Sequence, residues 1–208
     1  MGRPRAHDLD TLLDHARTLW VEQGLAGVTI RALSAASGAS NGAIYNAFGS
    51  RDNLLVRVWV REAEGFLAFQ VESVEAALAL GDPRSAVVAA ALAPSDYSRR
   101  EPAGSRLLLT VAVDDLAAAG ADVGDAERRQ VRQLRRRLDD LIVRLADEVW
   151  HSRRPPATTM VKACVVDLPS ALLPVGDHLT DPLARTTLER AVRGVLADPP
   201  SDPQPGPA

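Results

Sequence analysis

The sequence predicts an all-α chain, with a three-helix unit at the N-terminus and a larger helical body behind it. Three observations carry that prediction. Apolar residues recur at the spacing of one helix face in segment after segment, while hydroxyl residues stand where N-caps are needed: Thr29, Ser40 and Ser50. Glycine and proline then punctuate the segments at Gly24, Gly38, Gly81-Asp82-Pro83 and Pro155-Pro156. The 208 residues, 46% hydrophobic and 25% charged, suffice for a core of one or two domains and argue against overall disorder.

Taken in order, Arg3 and Arg5 flank Pro4 on a segment that suits either an arm reaching a groove or phosphate, or a frayed terminus. Asp8 and Asp10 favour a helix start, and Leu9, Leu12, Leu13, Ala16, Leu19 and Trp20 form a stripe that ends near Gly24. Thr29 caps a second helix on which Ile30, Leu33 and Ala36 share a face. Gly38 ends it, because glycine takes the left-handed C′ conformation without a steric penalty. Ser40 caps the third helix. On that helix Asn41, Gly42, Tyr45 and Asn46 fall on one arc, and Ala43, Ile44, Ala47 and Phe48 on the other. One face packs, leaving a face with two amides, a phenol and a glycine gap, which suits a helix in a DNA major groove, where Asn pairs with adenine N6 and N7. Ser50 caps the next helix, and Arg51 in its first turn is a candidate phosphate contact beside exposed backbone N–H groups.

Residues 28–54 resemble the DNA-binding head of the TetR family of transcriptional regulators. The matching elements are Thr29, Ala35-Ala36, Gly38, Ser40, Gly42, Ile44-Tyr45, Phe48, Ser50-Arg51 and Leu54, in that order and spacing; the departures are Ala39, Asn46, Ala47 and Arg51. Ala47 has no donor, so no base or phosphate contact is carried over to it. The candidate DNA-binding residues are therefore Thr29, Arg31, Ser40, Asn41, Gly42, Tyr45, Asn46, Ser50 and Arg51.

Behind this head a long helix is predicted from Arg51 to about Leu80, with Gly65 as a weak interruption, followed by a short helix from Pro83 to about Ala93. Pro94–Pro102 reads as a loop, Ser105–Ala119 as an apolar segment, and Gly120–Gly124 as a turn. Glu127–Trp150 carries the stripe Val131, Leu134, Leu138, Leu141, Leu145 and Val149; Arg128, Arg129, Arg132, Arg135, Arg136 and Arg137 crowd its other face, where solvated charges paired with acids are the commoner cause. Two further helices are expected over 158–173 and 181–197, then a proline-rich tail, 198–208, with the composition of a disordered segment.

By the resemblance, the last two helices form a four-helix dimer interface and the body holds a small effector. Met160, Cys164, Val165, Leu168, Ala171 and Leu172 form a wide apolar surface that fits either association or an internal core. Asp114 and Asp115 interrupt an apolar helix and suit either an effector contact or an arginine partner.

The domain division expected is a helix-turn-helix DNA-binding domain at 1–52, an effector-binding and dimerisation domain at 53–197, and the tail. One cysteine, Cys164, excludes an internal disulfide framework and a cysteine zinc cluster, as in a reducing cytoplasm. No apolar run reaches membrane-spanning length, and the N-terminus lacks the apolar core of a signal peptide, so export and membrane partners are not expected. His7, His15, His151 and His178 show no ligand spacing, and no HExxH, GxSxG or P-loop pattern occurs; no metal, cofactor or catalysis is expected. The net charge of −3 speaks against non-specific coating of nucleic acid but permits a local positive patch. The expected function is a cytoplasmic, dimeric, ligand-responsive repressor that binds a double-stranded inverted-repeat operator. The alternative is a helical protein-interaction adaptor whose head does not read DNA.

Overall fold

The computed structural model describes residues 6–110, 123–173 and 177–200, and among them it is helical with no strand. The helices are α1 (Ala6–Gly27), α2 (Ile30–Ser37), α3 (Asn41–Phe48), α4 (Arg51–Leu78), α5 (Pro83–Arg100), α6 (Pro102–Thr110), α7 (Asp125–Trp150), α8 (Ala157–Lys162), α9 (Leu168–Leu172) and α10 (Pro182–Ala197). A π turn, Ala163–Asp167, joins α8 to α9, and a 3-10 turn, Asp177–Thr180, precedes α10. Arg3, Arg5, Asp114, Asp115, the start of the Gly120–Gly124 turn, the end of the 105–119 segment, most of the tail and the side chains of His7 and His178 lie outside the described residues.

The chain forms two compact units, Met1–Glu64 with Ala103–Leu134, and Gly65–Pro102 with Arg135–Ala208. The first thus keeps the opening turns of α4 and takes in α6 and the start of α7. Its core is one apolar cluster: Leu12, Ala16, Leu19 and Trp20 of α1, Ile30 and Leu33 of α2, Ile44 and Phe48 of α3, and Leu54, Leu55 and Val58 of α4 are all buried. Leu107 and Val131 close it from α6 and α7. The predicted α1 stripe is therefore the packed one, and the helix kinks at Gly24, where φ is 74°.

In the second unit two expectations are corrected. Gly65 does not interrupt α4, which runs through it; a Cβ there would lie 3.2 Å from the Tyr97 hydroxyl, so glycine makes room for that phenol. Tyr97 packs in turn on Phe66 and Phe69, each with ring centroids 5.5 Å away. The loop expected at Pro94–Pro102 is instead helix, since α5 continues through Pro94 to Arg100. Proline has no N–H for the carbonyl four residues back, so Ala90 O is left without its helical donor. The buried Gln70 side chain supplies one, Nε2 donating to Ala90 O at 2.9 Å. A tertiary partner repairs what the local rule counts as a break.

The 158–173 segment also differs from a plain helix. Leu168 N–H reaches back five residues to Ala163 O, widening the turn just before Pro169, which has no N–H to donate. Val161, Cys164, Val165, Pro169 and Leu173 are buried within the chain itself, so Cys164 and Val165 belong to the internal core. Met160, Leu168 and Leu172 are only half-buried, Ala171 is exposed, and Leu183 on α10 is 73% exposed. Asp96 on α5 and Arg185 on α10 tie their helices by a two-pronged ion pair, at 2.7 and 3.1 Å. On α7 the stripe is wider than expected, Ile142 and Ala146 joining Val131, Leu141 and Leu145 in burial. No helix among the described residues is long and apolar enough to cross a membrane.

Candidate nucleic-acid interface

The geometry of α2 and α3 is built from caps. Thr29 Oγ1 accepts from Ala32 N–H at 3.0 Å and starts α2. Gly38 ends it in the left-handed region, φ 73°, its N–H donating to Ser34 O at 2.9 Å. Ser34 Oγ then donates to Ala39 O at 2.7 Å, bracing the turn from inside. Ser40 Oγ accepts from Ala43 N–H at 3.2 Å and starts α3. Each satisfies a backbone group that the helix end leaves open.

On α3 Ile44 and Phe48 are buried at 0% and 2%, which fixes the opposite side outward. Asn41, Gly42, Tyr45 and Asn46 are exposed, as the arc predicts, with Tyr45 at 52%. Ala43 is exposed too and Ala47 is half-buried, so the packing face is narrower than the predicted one. Its main contacts come from the two large side chains, with Ala47 packed at the edge of the same cluster. A Cβ at Gly42 would meet nothing within 4 Å, so the fold itself does not demand glycine there. The free space lies outside the protein. Thr29 and Arg31 add exposed positions at the start of α2.

The structure brings Thr29, Arg31, Ser40, Asn41, Gly42, Tyr45 and Asn46 to the surface of two adjoining short helices. Ser50 and Arg51 behave differently. Ser50 is buried, and its Oγ accepts from Asn53 N–H at 3.0 Å to cap α4. Arg51, expected at a phosphate, turns inward: Nε donates to Val28 O at 2.5 Å and Nη2 to Leu25 O at 2.7 Å. Its guanidinium satisfies carbonyls at the α1–α2 junction. Only the side chain's destination distinguishes these uses, and the sequence does not carry it.

Two side chains that the sequence reading did not single out flank the same helix. Asn53 Nδ2 donates to Phe48 O at 2.8 Å, and Arg57 lies 5.5 Å from the Phe48 ring centroid. The available signal was an arginine set between the apolar Val56 and Val58. No group of three or more His, Cys, Asp or Glu able to hold a metal occurs among the described residues.

Residues 12–58 match the family model described as bacterial regulatory proteins, tetR family. No curated protein matches the chain. Among solved structures, the TetR-family transcriptional regulator PfmR from Thermus thermophilus is 17% identical, with 89% of this chain and 96% of that one covered at a TM-score of 0.62. A TetR-like transcriptional regulator from a Rhodococcus species is 22% identical, covering 95% and 100% at 0.59. The multidrug binding protein EbrR, complexed with imidazole, is 19% identical, covering 92% and 96% at 0.58. At these identities the structures speak for the fold and the family model for the head: the chain carries a tetR-type regulatory head and has the fold of TetR-family transcriptional regulators.

Proposed function

We propose that this chain is a sequence-specific regulator whose α3 enters the major groove of operator DNA. The observation that carries the reading is the split of α3 into a face locked by Ile44 and Phe48 and an exposed face of Asn41, Gly42, Tyr45 and Asn46. Asn41 and Asn46 read base edges; Tyr45, Thr29 and Arg31 hold phosphates; Ser40 and Ser50 act as caps, and Arg51 braces the head. Functionally, residues 1–52 read DNA and 53–197 bind effector and dimerise.

One such helix covers only a few base pairs, so useful specificity needs two heads. A two-fold dimer meets an inverted repeat with half-sites roughly 34 to 36 Å apart, or a multiple. The half-buried Met160, Leu168 and Leu172 with the exposed Ala171 and Leu183 support an interface on α8, α9 and α10. For a small-molecule effector the support is a pair of buried polar atoms in the second unit, Gln70 Oε1 and Ser95 Oγ, that have no partner among the described residues. Leaving such an atom unpaired costs about 1 to 3 kcal/mol, which a ligand donor recovers. The EbrR complex shows that a protein of this fold takes up a small molecule. Effector binding that favours a dimer with the wrong head spacing releases the operator, making the protein a repressor.

Selection from a randomised DNA pool tests the assignment. Wild type should enrich an inverted repeat, and Asn46→Ala should relax preference at one base pair per half-site by about 1 to 3 kcal/mol. Identical preferences for the two proteins would remove Asn46 from the reading face, and failure of wild type to enrich any duplex would leave the adaptor reading.

A further inference from the structure

We infer that Asn53, Arg57, Gly124 and Glu127 form a clamp that positions the reading helix from behind, so that the start of α7 is a working part of the DNA-binding head. The inference rests on the reading of α3 as the helix that meets DNA. Its basis is the fate of the last carbonyls of α3, which have no partner within their own helix. Phe48 O accepts from Asn53 Nδ2 at 2.8 Å, and Ala47 O from Arg57 Nη1 at 3.4 Å. Asn53 and Arg57 stand four residues apart on α4, hence on one face. Each also holds a second group from far along the chain. Asn53 Oδ1 accepts from Gly124 N–H at 2.8 Å, and Arg57 Nε and Nη2 donate to Glu127 Oε1 at 2.8 and 2.7 Å.

All these residues lie in the first compact unit. The Glu127 side chain is 3% exposed and pairs with Arg57, so removing Arg57 leaves a buried carboxylate without that partner. Gly124 fits the same scheme sterically. A Cβ there would come within 2.8 Å of Glu127 Oε2, so a larger residue makes the Glu127 carboxylate shift, while the Asn53 amide at 3.6 Å stays in ordinary contact. The α3 helix is thereby held at both ends: Ser34 and Ser40 fix its start, and this clamp fixes its finish. A helix of only eight residues has few contacts with which to hold its own tilt. None of the four clamp residues is on the exposed face of α3, so they are positioning residues.

Asn53→Asp removes the tie to Phe48 O and leaves the exposed face of α3 untouched. The aspartate keeps the acceptor for Gly124 N–H but loses the donor to Phe48 O. In the first turn of α4 its negative charge also suits the helix dipole. Full-length wild type, Asn53→Asp and Glu127→Gln are titrated against the duplex that wild type enriches from a random pool. Melting temperature is recorded for each. The expected result is about tenfold weaker binding per folded molecule for both variants and unchanged base preference, with the affinity taken well below each variant's own melting temperature. Simple repulsion by the new carboxylate would fade at high salt, whereas lost positioning persists. Wild-type affinity in Asn53→Asp and Glu127→Gln, or a deficit that vanishes in high salt, would overturn the clamp while leaving the DNA-reading assignment intact. A wild-type protein that enriches no duplex would instead overturn that assignment itself.

Discussion

The two compact units are held together by different chemistry. In the first, polar side chains are spent on backbone groups: Arg51 on Leu25 O and Val28 O, Ser34 on Ala39 O, and Asn53 on Phe48 O and Gly124 N–H. In the second, ion pairs such as Asp96–Arg185 and Glu75–Arg144 tie helix to helix, and Gln70 Oε1, Ser95 Oγ and Trp150 Nε1 are buried without partners among the described residues. In the first unit Trp20 Nε1 is such an atom among the described residues. A fully bonded polar network specifies one geometry, whereas a half-satisfied one leaves room for a ligand to change it. On the function proposed above, the DNA-reading head uses the first property and the effector-binding body the second.

The contrast can be broken most forcefully at the head's packing. Ile44→Ala empties a fully buried site on α3 and should cost about 2 to 5 kcal/mol in urea unfolding. A cost below about 1 kcal/mol would mean that α3 does not depend on that anchor. Next comes Arg51→Ala, which removes the side-chain donor from Val28 O and leaves Leu25 O with only Val28 N–H; it should cost about 1 to 3 kcal/mol in the same assay while sparing base preference. If the variant kept full stability and lost only DNA affinity, Arg51 would be the phosphate contact first expected.

In the body, the Gln70 amide is tested by a cycle with Pro94. Gln70→Leu should be about 1 kcal/mol more costly in wild type than in a Pro94→Ala background, the difference being the net value of one hydrogen bond. There residue 94 supplies Ala90 O with its ordinary helical N–H. Equal costs in both backgrounds would show that Gln70 matters for another reason.

The effect that is smallest at neutral pH concerns Cys164, whose thiol burial pushes up from 9.0 to about 11. The folded state therefore keeps its proton where the unfolded state loses it. The stabilisation is complete below pH 9 and is lost as pH rises from about 9 through about 11. Cys164→Ala should flatten that part of the stability profile, and wild type should resist thiol alkylation at about pH 8 until unfolded. Rapid alkylation of native protein would show a more open body than the one described.

Much of the head is legible in the residues because its signals act over a single helical turn. Thr29, Ser40 and Ser50 cap helices that begin immediately after them, Gly38 ends one, and the helical period alone separates Ile44 and Phe48 from Asn41, Tyr45 and Asn46. Tertiary structure decided whatever depended on a partner farther away. Pro94 reads as a break until Gln70, on another helix, meets the carbonyl it leaves open. Arg51 reads as a phosphate ligand until Leu25 O and Val28 O take its donors. Asn53 and Arg57 look like ordinary helix residues until the fold brings them Gly124 and Glu127, from far along the chain. A side chain's type states what it can bond, and only the packed chain decides which of the groups within reach it does.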